Sequence, residues 1–161
     1  MTLVFNASPL IILAKAGLLD QILSLTDRVF IPRPVASEIT RCNAPSDAAS
    51  AWLNSLAAQT FIAAPVETSD FVTAWGLGVG ESSVISMAET MPGSIAVLDD
   101  LAARRCAGAL QINVVGTLGL LLMAKNAAII PSIRGPLDAI ISAGLFISRR
   151  HVAEILKQAG E

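Results

Sequence analysis

Histidine is almost missing from this chain: the only one is His151. A single imidazole cannot build a multi-histidine metal site, and it argues against Ser-His-Asp catalysis. Cysteine is nearly as scarce. Cys42 and Cys106 form no CxxC pair and no metal-type spacing, so both are expected as reduced thiols of a cytosolic protein. Charge is sparse, at 15% of residues, with a net charge of −2 and a pI near 5.3. That balance excludes the broad basic face of a general nucleic-acid binder, so basic surface for RNA or DNA would have to be local. Long apolar runs are missing too. The longest, Leu10 to Ala14 and Leu118 to Ala124, fall far short of the ~20 residues of a membrane helix. No basic residue precedes the apolar N-terminal run and no small-residue cleavage site follows it, which argues against secretion. The expected location is the cytoplasm.

What the chain has in plenty is core material. Apolar residues make up 53% of its 161 residues, and the mean hydropathy is +0.65. This length suggests one domain spanning residues 1–161, burying roughly 70% of the surface that its unfolded form exposes. With so little charge to cover the outside, some apolar surface is expected in a partner or homodimer contact.

Strand-like and helix-like segments alternate. Leu3-Val4-Phe5 reads as a strand, followed by a polar turn in which Ser8 caps a helix and Pro9 takes its first position. Gly17 ends that helix, and a second short one runs to about Leu25. Arg28 to Pro32 is a second strand, and Pro34 opens a helix carrying Val35, Glu38 and Ile39. Pro45-Ser46-Asp47 reads as a turn and cap before a helix over 48–58, with Trp52, Leu53 and Leu56 at core spacing. Phe61-Ile62-Ala63 is a weak third strand. A helix over 81–90 precedes Ile95 to Leu98, a continuous apolar run suited to a strand buried on both faces. A helix over 101–110, a fifth strand over Ile112 to Val115, and helices near 118–126, 133–143 and 148–158 complete the chain. The pattern predicts an α/β fold with a mostly parallel five-stranded sheet covered on both faces.

Ligand sites of open parallel sheets lie outside the carboxyl ends of the strands. The polar residues expected there are Asn6 and Ser8 after the first strand, Asp99 and Asp100 after the fourth, and Thr117 after the fifth. Glu38 and Glu81 begin helices near the same edge, so four of the 13 acidic residues map to one rim. Clustered carboxylates raise one another's pKa unless a cation sits among them. Mg²⁺ or Mn²⁺, hard ions that take oxygen ligands, are the natural guests, and such a site activates water and steadies charge on a phosphodiester. Arg104 and Arg105, one turn into the helix after Asp100, are placed to meet backbone phosphate, with Lys15, Arg33 and Lys125 as further contributors. The Gly76 to Gly80 loop does not read as a phosphate cradle. Phe71 to Trp75 before it is helix-like, and no Gly-Lys-Ser/Thr follows. It reads as a tight turn that delivers Glu81.

Asn6-Ala-Ser-Pro-Leu-Ile-Ile12, Pro32 with Glu38, Gly78-Val-Gly-Glu81, Leu98-Asp-Asp100 with Arg104, and Gly116-Thr-Leu-Gly119 together resemble the PIN-like domain family. The likeness is to a subfamily of mostly uncharacterised prokaryotic proteins related to toxin-type ribonucleases, and it covers nearly the whole chain. It implies a three-layer α/β/α fold and a Mg²⁺- or Mn²⁺-dependent endoribonuclease site. It also implies RNA as substrate, an antitoxin protein as a possible partner, and a homodimer. By position, Glu38, Glu81 and Asp100 match the family's acidic metal-site residues, with Asp99 as the adjacent alternative. Ser8 and Thr117 match polar residues near the site, where substrate would lie with Arg104 and Arg105.

One position departs from the family, which usually has aspartate where this chain has Asn6. An amide oxygen can still ligate a metal but brings no charge. A charge pair at about 4 Å in an effective dielectric of about 20 is worth roughly 4 kcal/mol, and a deficit of even ~1.4 kcal/mol is tenfold in affinity. The alternative reading is therefore a weak or inactive PIN-like domain kept for binding protein or RNA. A different metal-dependent phosphoesterase on a similar sheet is disfavoured, since the first strand ends without the aspartate nucleophile that such phosphotransferases use.

Overall fold

In the computed structural model, residues 1–42 and 47–161 are described, apart from the side chains of Cys42 and Leu56. The five strands are β1 (Thr2–Phe5), β2 (Arg28–Pro32), β3 (Ile62–Ala63), β4 (Ile95–Val97) and β5 (Asn113–Val115). They form one sheet in the order β3-β2-β1-β4-β5, and every pairing is parallel. The expected mostly parallel sheet is thus wholly parallel. Helices cover it in a three-layer α/β/α arrangement. Among the described residues, no helix is long and apolar enough to cross a membrane.

The central strand carries the most hydrophobic triplet near the N-terminus. Leu3, Val4 and Phe5 of β1 are all fully buried, as a strand with neighbours on both edges and helices on both faces requires. Val4 pairs with Phe30 on one side and with Ala96 on the other. The chain lays down β1, β2 and β3 in one direction, then returns to place β4 on the other side of β1. The strand order therefore reverses between β1 and β4, and the crevice above that point is where an open parallel sheet holds its ligand.

Among the helices, which include α2 (Leu19–Leu23) and α6 (Asp70–Ala74), those that shape this crevice are α1 (Ala7–Lys15), α3 (Arg33–Cys42), α7 (Val79–Glu89), α8 (Leu101–Ala109) and α9 (Thr117–Asn126). Several differ from the sequence reading. α1 begins two residues before Pro9, so Asn6 rather than Ser8 holds the cap position, and Ser8 is exposed in the first turn. Proline is tolerated there because a first-turn N–H has no helical partner to lose. The single helix expected over 48–58 is two, α4 (Ala48–Leu53) and α5 (Leu56–Gln59). Ser55 makes the break by accepting from the Ala58 amide as the second helix's cap. Asp47 caps α4 through the Ala49 amide, while Pro45 and Ser46 of the expected turn lie outside the described residues. α7 starts at Val79 rather than Glu81, with Gly78 at the cap.

The chain's last residue is fastened to the body. Lys125 Nζ donates to Glu161 Oε1 at 2.6 Å, and Ser132 Oγ and the Ile133 amide also donate to that carboxylate. These bonds, with the Lys125 partner foremost, hold the Glu161 carboxyl down at about 2. They tie α11 (Arg149–Gln158) to the end of α9 and to α10 (Arg134–Ser142).

Candidate functional site

β1 and β4 end side by side, and Asn6 is pinned where they do. Its backbone amide donates to the Val97 carbonyl at 3.2 Å. The residue is 3% exposed, and its Nδ2 donates to Glu81 Oε1 at 3.3 Å. The Asn6 Oδ1 is buried with no hydrogen-bond partner. Buried polar atoms are rarely left this way, so this oxygen is open to a ligand.

Glu81 reaches Asn6 because it is the third residue of α7. Its carboxylate folds back over the helix start, with Oε2 occupying the space that a side chain at Gly78 would fill. Gly80 clears the other side. A Cβ there would lie 2.6 Å from Glu38 Oε2 and 3.1 Å from Asn6 Oδ1. The two glycines thus let three oxygen-bearing side chains converge on the first turn of α7, whose free amides and dipole favour negative charge.

Glu38 enters from α3, half-buried. Burial pushes its carboxyl above the ordinary range, the nearby Glu81 carboxylate adds to the rise, and Arg41 partly opposes it. The site therefore holds a carboxyl that is reluctant to ionise without a compensating cation.

The expected rim of four carboxylates divides in two. Among the described residues, no three histidine, cysteine, aspartate or glutamate side chains come together as a metal-holding group. Asn6, Glu38 and Glu81 form one cluster. Asp99 is engaged elsewhere: its Oδ1 accepts from the Thr117 amide at 2.7 Å and its Oδ2 from the Thr117 hydroxyl at 2.6 Å. This pair latches the end of β4 to the start of α9. Thr117 is fully buried, so it acts on Asp99 and is not open to a substrate. Asp100 is exposed and caps α8, its Oδ1 accepting from the Ala103 amide at 2.8 Å.

The basic residues also separate. Arg104 is half-buried beside Asp99 and donates to the Leu98 carbonyl at 3.0 Å, so it braces the β4–α8 turn. Arg105 and Arg33 are exposed. Lys15 faces Asp47 at 3.5 Å, and Lys125 sits at the far end of α9, tied to Glu161 and the Ala159 carbonyl. The sequence reading missed the clearance role of Gly78 and Gly80. The only signal was two glycines within three residues of an acid, which reads equally as a turn.

The residues fit a hard divalent cation: every donor is oxygen, two carry charge, and the third is the orphaned Asn6 Oδ1. A family model described as a PIN domain matches residues 2–161. No curated protein and no solved structure matches the chain.

Proposed function

The chain belongs to the PIN-domain family, and from that premise we propose that it is a divalent-metal-dependent ribonuclease whose ion is held by Asn6, Glu38 and Glu81. The carrying observation is the unpartnered Asn6 Oδ1, 3% exposed as a residue and turned to the same first turn of α7 as both glutamates. When bound, Mg²⁺ or Mn²⁺ supplies neutralising charge and an activated water. The chain's own residues do the rest. Asn6 Nδ2 orients Glu81, Gly80 leaves room for Glu38, and Glu38 holds a proton more readily than an ordinary glutamate until a cation displaces it. Asp99, latched by Thr117, fixes the adjoining wall. Asp100 is a further ligand candidate by the family resemblance, and ligation there would cost its helix cap, worth about 1 kcal/mol. The same reading extends to a toxin with a protein antitoxin and to a homodimer, supported by the family resemblance alone.

The second reading, a domain kept for binding RNA or protein, is favoured by one observation: the converged cluster has two carboxylates rather than three or more. Calorimetric titration of chelator-treated protein with Mn²⁺, followed by cleavage of single-stranded RNA in the same buffer, separates the two. Saturable uptake with cleavage that Glu81→Gln abolishes supports the nuclease. No uptake at several millimolar Mn²⁺ leaves the binding domain.

A further inference from the structure

A groove of about 910 Å³ opens beside the site, on the outer side of β5. Its lining is mostly apolar, with Leu101, Val115 and Leu118 prominent, and Asp99, Arg104 and His151 bring charge and polarity. Phe146, in the turn before α11, is 97% exposed on its wall, and Leu101 is 59% exposed. A phenyl ring so fully in water is costly, and no described residue covers it.

The charges favour one occupant. Among the described residues, Asp99 is the groove's only acidic lining residue, and both of its oxygens are already taken by Thr117. Arg104 and His151 line the wall, while Arg149 and Arg150, between the lining residues Ser148 and His151, and Arg105, next to Arg104, are exposed neighbours of the lining. Arg150 is partly answered by Glu154 at 2.8 Å. In a chain of net charge −2, this is a local basic rim. A second copy docked here about a two-fold axis would bring this basic patch against the same basic patch of the other copy, which disfavours it. An anionic strand with flat bases meets both features: phosphates at the arginine rim and a base on the free ring.

We propose that this groove binds the flank of a single-stranded RNA, with one unpaired base stacked on Phe146. The proposal rests on the ribonuclease reading for the strand's identity. It adds a substrate subsite next to the Asp99 side of the crevice, and a reason for preferring single strands, since a paired base cannot offer its face to Phe146.

The test is fluorescence anisotropy of a labelled single-stranded RNA dodecamer and of its duplex, in EDTA, against wild type, Phe146→Ala and Phe146→Trp. Because Phe146 is solvent-exposed, neither substitution disturbs the core. Phe146→Ala is expected to weaken single-strand binding about fivefold or more, to leave duplex binding unchanged, and to be rescued by Phe146→Trp. Equal affinity in wild type and Phe146→Ala, or no single-strand binding by wild type, overturns the proposal. Sedimentation of the same proteins covers the other occupant. A dimer lost in Phe146→Ala with RNA affinity unchanged would give the groove to a second copy and also overturn it. The outcomes stay separate from those of the metal site: Phe146-dependent binding in EDTA without Mn²⁺ uptake would sink the nuclease and keep the subsite. Metal-dependent cleavage with no Phe146 effect would do the reverse.

Discussion

Asn6 donates from Nδ2 to Glu81 Oε1 at 3.3 Å, joining the end of the first strand to a helix 75 residues later. The amide does what an aspartate there could not: it holds the glutamate without repelling it, so the cluster stands assembled before any cation arrives. The same substitution leaves one charge fewer for the ion.

Asn6→Asp is therefore expected to have two opposite effects. Without metal, a third carboxylate at the buried end of β1 lowers the melting temperature. With metal, the added charge tightens Mn²⁺ binding by about tenfold or more. Calorimetric titration, paired with melting in EDTA, reads both. Weaker Mn²⁺ binding would show that Asn6 does not face the ion.

Gly80→Ala tests the convergence itself. The added methyl lands 2.6 Å from Glu38 Oε2, the end of a side chain that can swing away. The fold should survive, helped by alanine's better helix propensity. Mn²⁺ affinity should fall by about tenfold, because Glu38 no longer reaches the cluster. Unchanged affinity with an unchanged melting temperature would remove Glu38 from the ligand set.

Asp100 has two conceivable duties, and two substitutions divide them. Asparagine caps helices about as well as aspartate, whereas alanine loses the bond to the Ala103 amide at a cost of about 1 kcal/mol. Asp100→Asn should leave the melting temperature unchanged and weaken Mn²⁺ binding. Asp100→Ala should do both kinds of damage. If Asp100→Asn binds Mn²⁺ like wild type, the residue is a cap alone.

Glu38 makes the metal-free protein's stability depend on pH in a specific direction. Its carboxyl is raised above 4.5 by burial and by Glu81, so the folded protein holds this proton more tightly than the unfolded chain. The contribution is fully present below the unfolded value and is lost as pH rises through the folded one. In EDTA, Glu38→Gln should flatten that loss as pH rises above 4.5, as read by thermal melts of the two proteins. Mn²⁺ affinity of wild type should fall on acidification through the same range as protons compete.

The strands were legible because their signal is local. Leu3 to Phe5 and Ile95 to Leu98 are unbroken apolar runs, and they became the two strands that flank the crevice. Glu38 and Glu81 could be placed because each lies within a turn or so of a helix start marked by proline or glycine. What escaped was set by distance in sequence. Nothing near Asp99 announces that Thr117, 18 residues on, will take both of its oxygens. Nothing near Glu161 announces Lys125 and Ser132. The break at Ser55 was readable as a cap signal, but the alanines on both sides masked it. Phe146 drew no reading from the sequence, because exposure is a property of the assembled surface.

The strand order has a consequence for how the protein is made. β1 emerges from the ribosome first, yet its partner β4 starts at Ile95. At about 5–20 residues per second, that gap lasts on the order of 5–20 s. Through that interval Asn6 waits without Val97 to pin it, and for most of it without Glu81 to hold. A nascent chain that has not yet reached β4 therefore lacks the strand that pins Asn6, and on the ribonuclease reading proposed above it is inert towards the transcript that it is being read from.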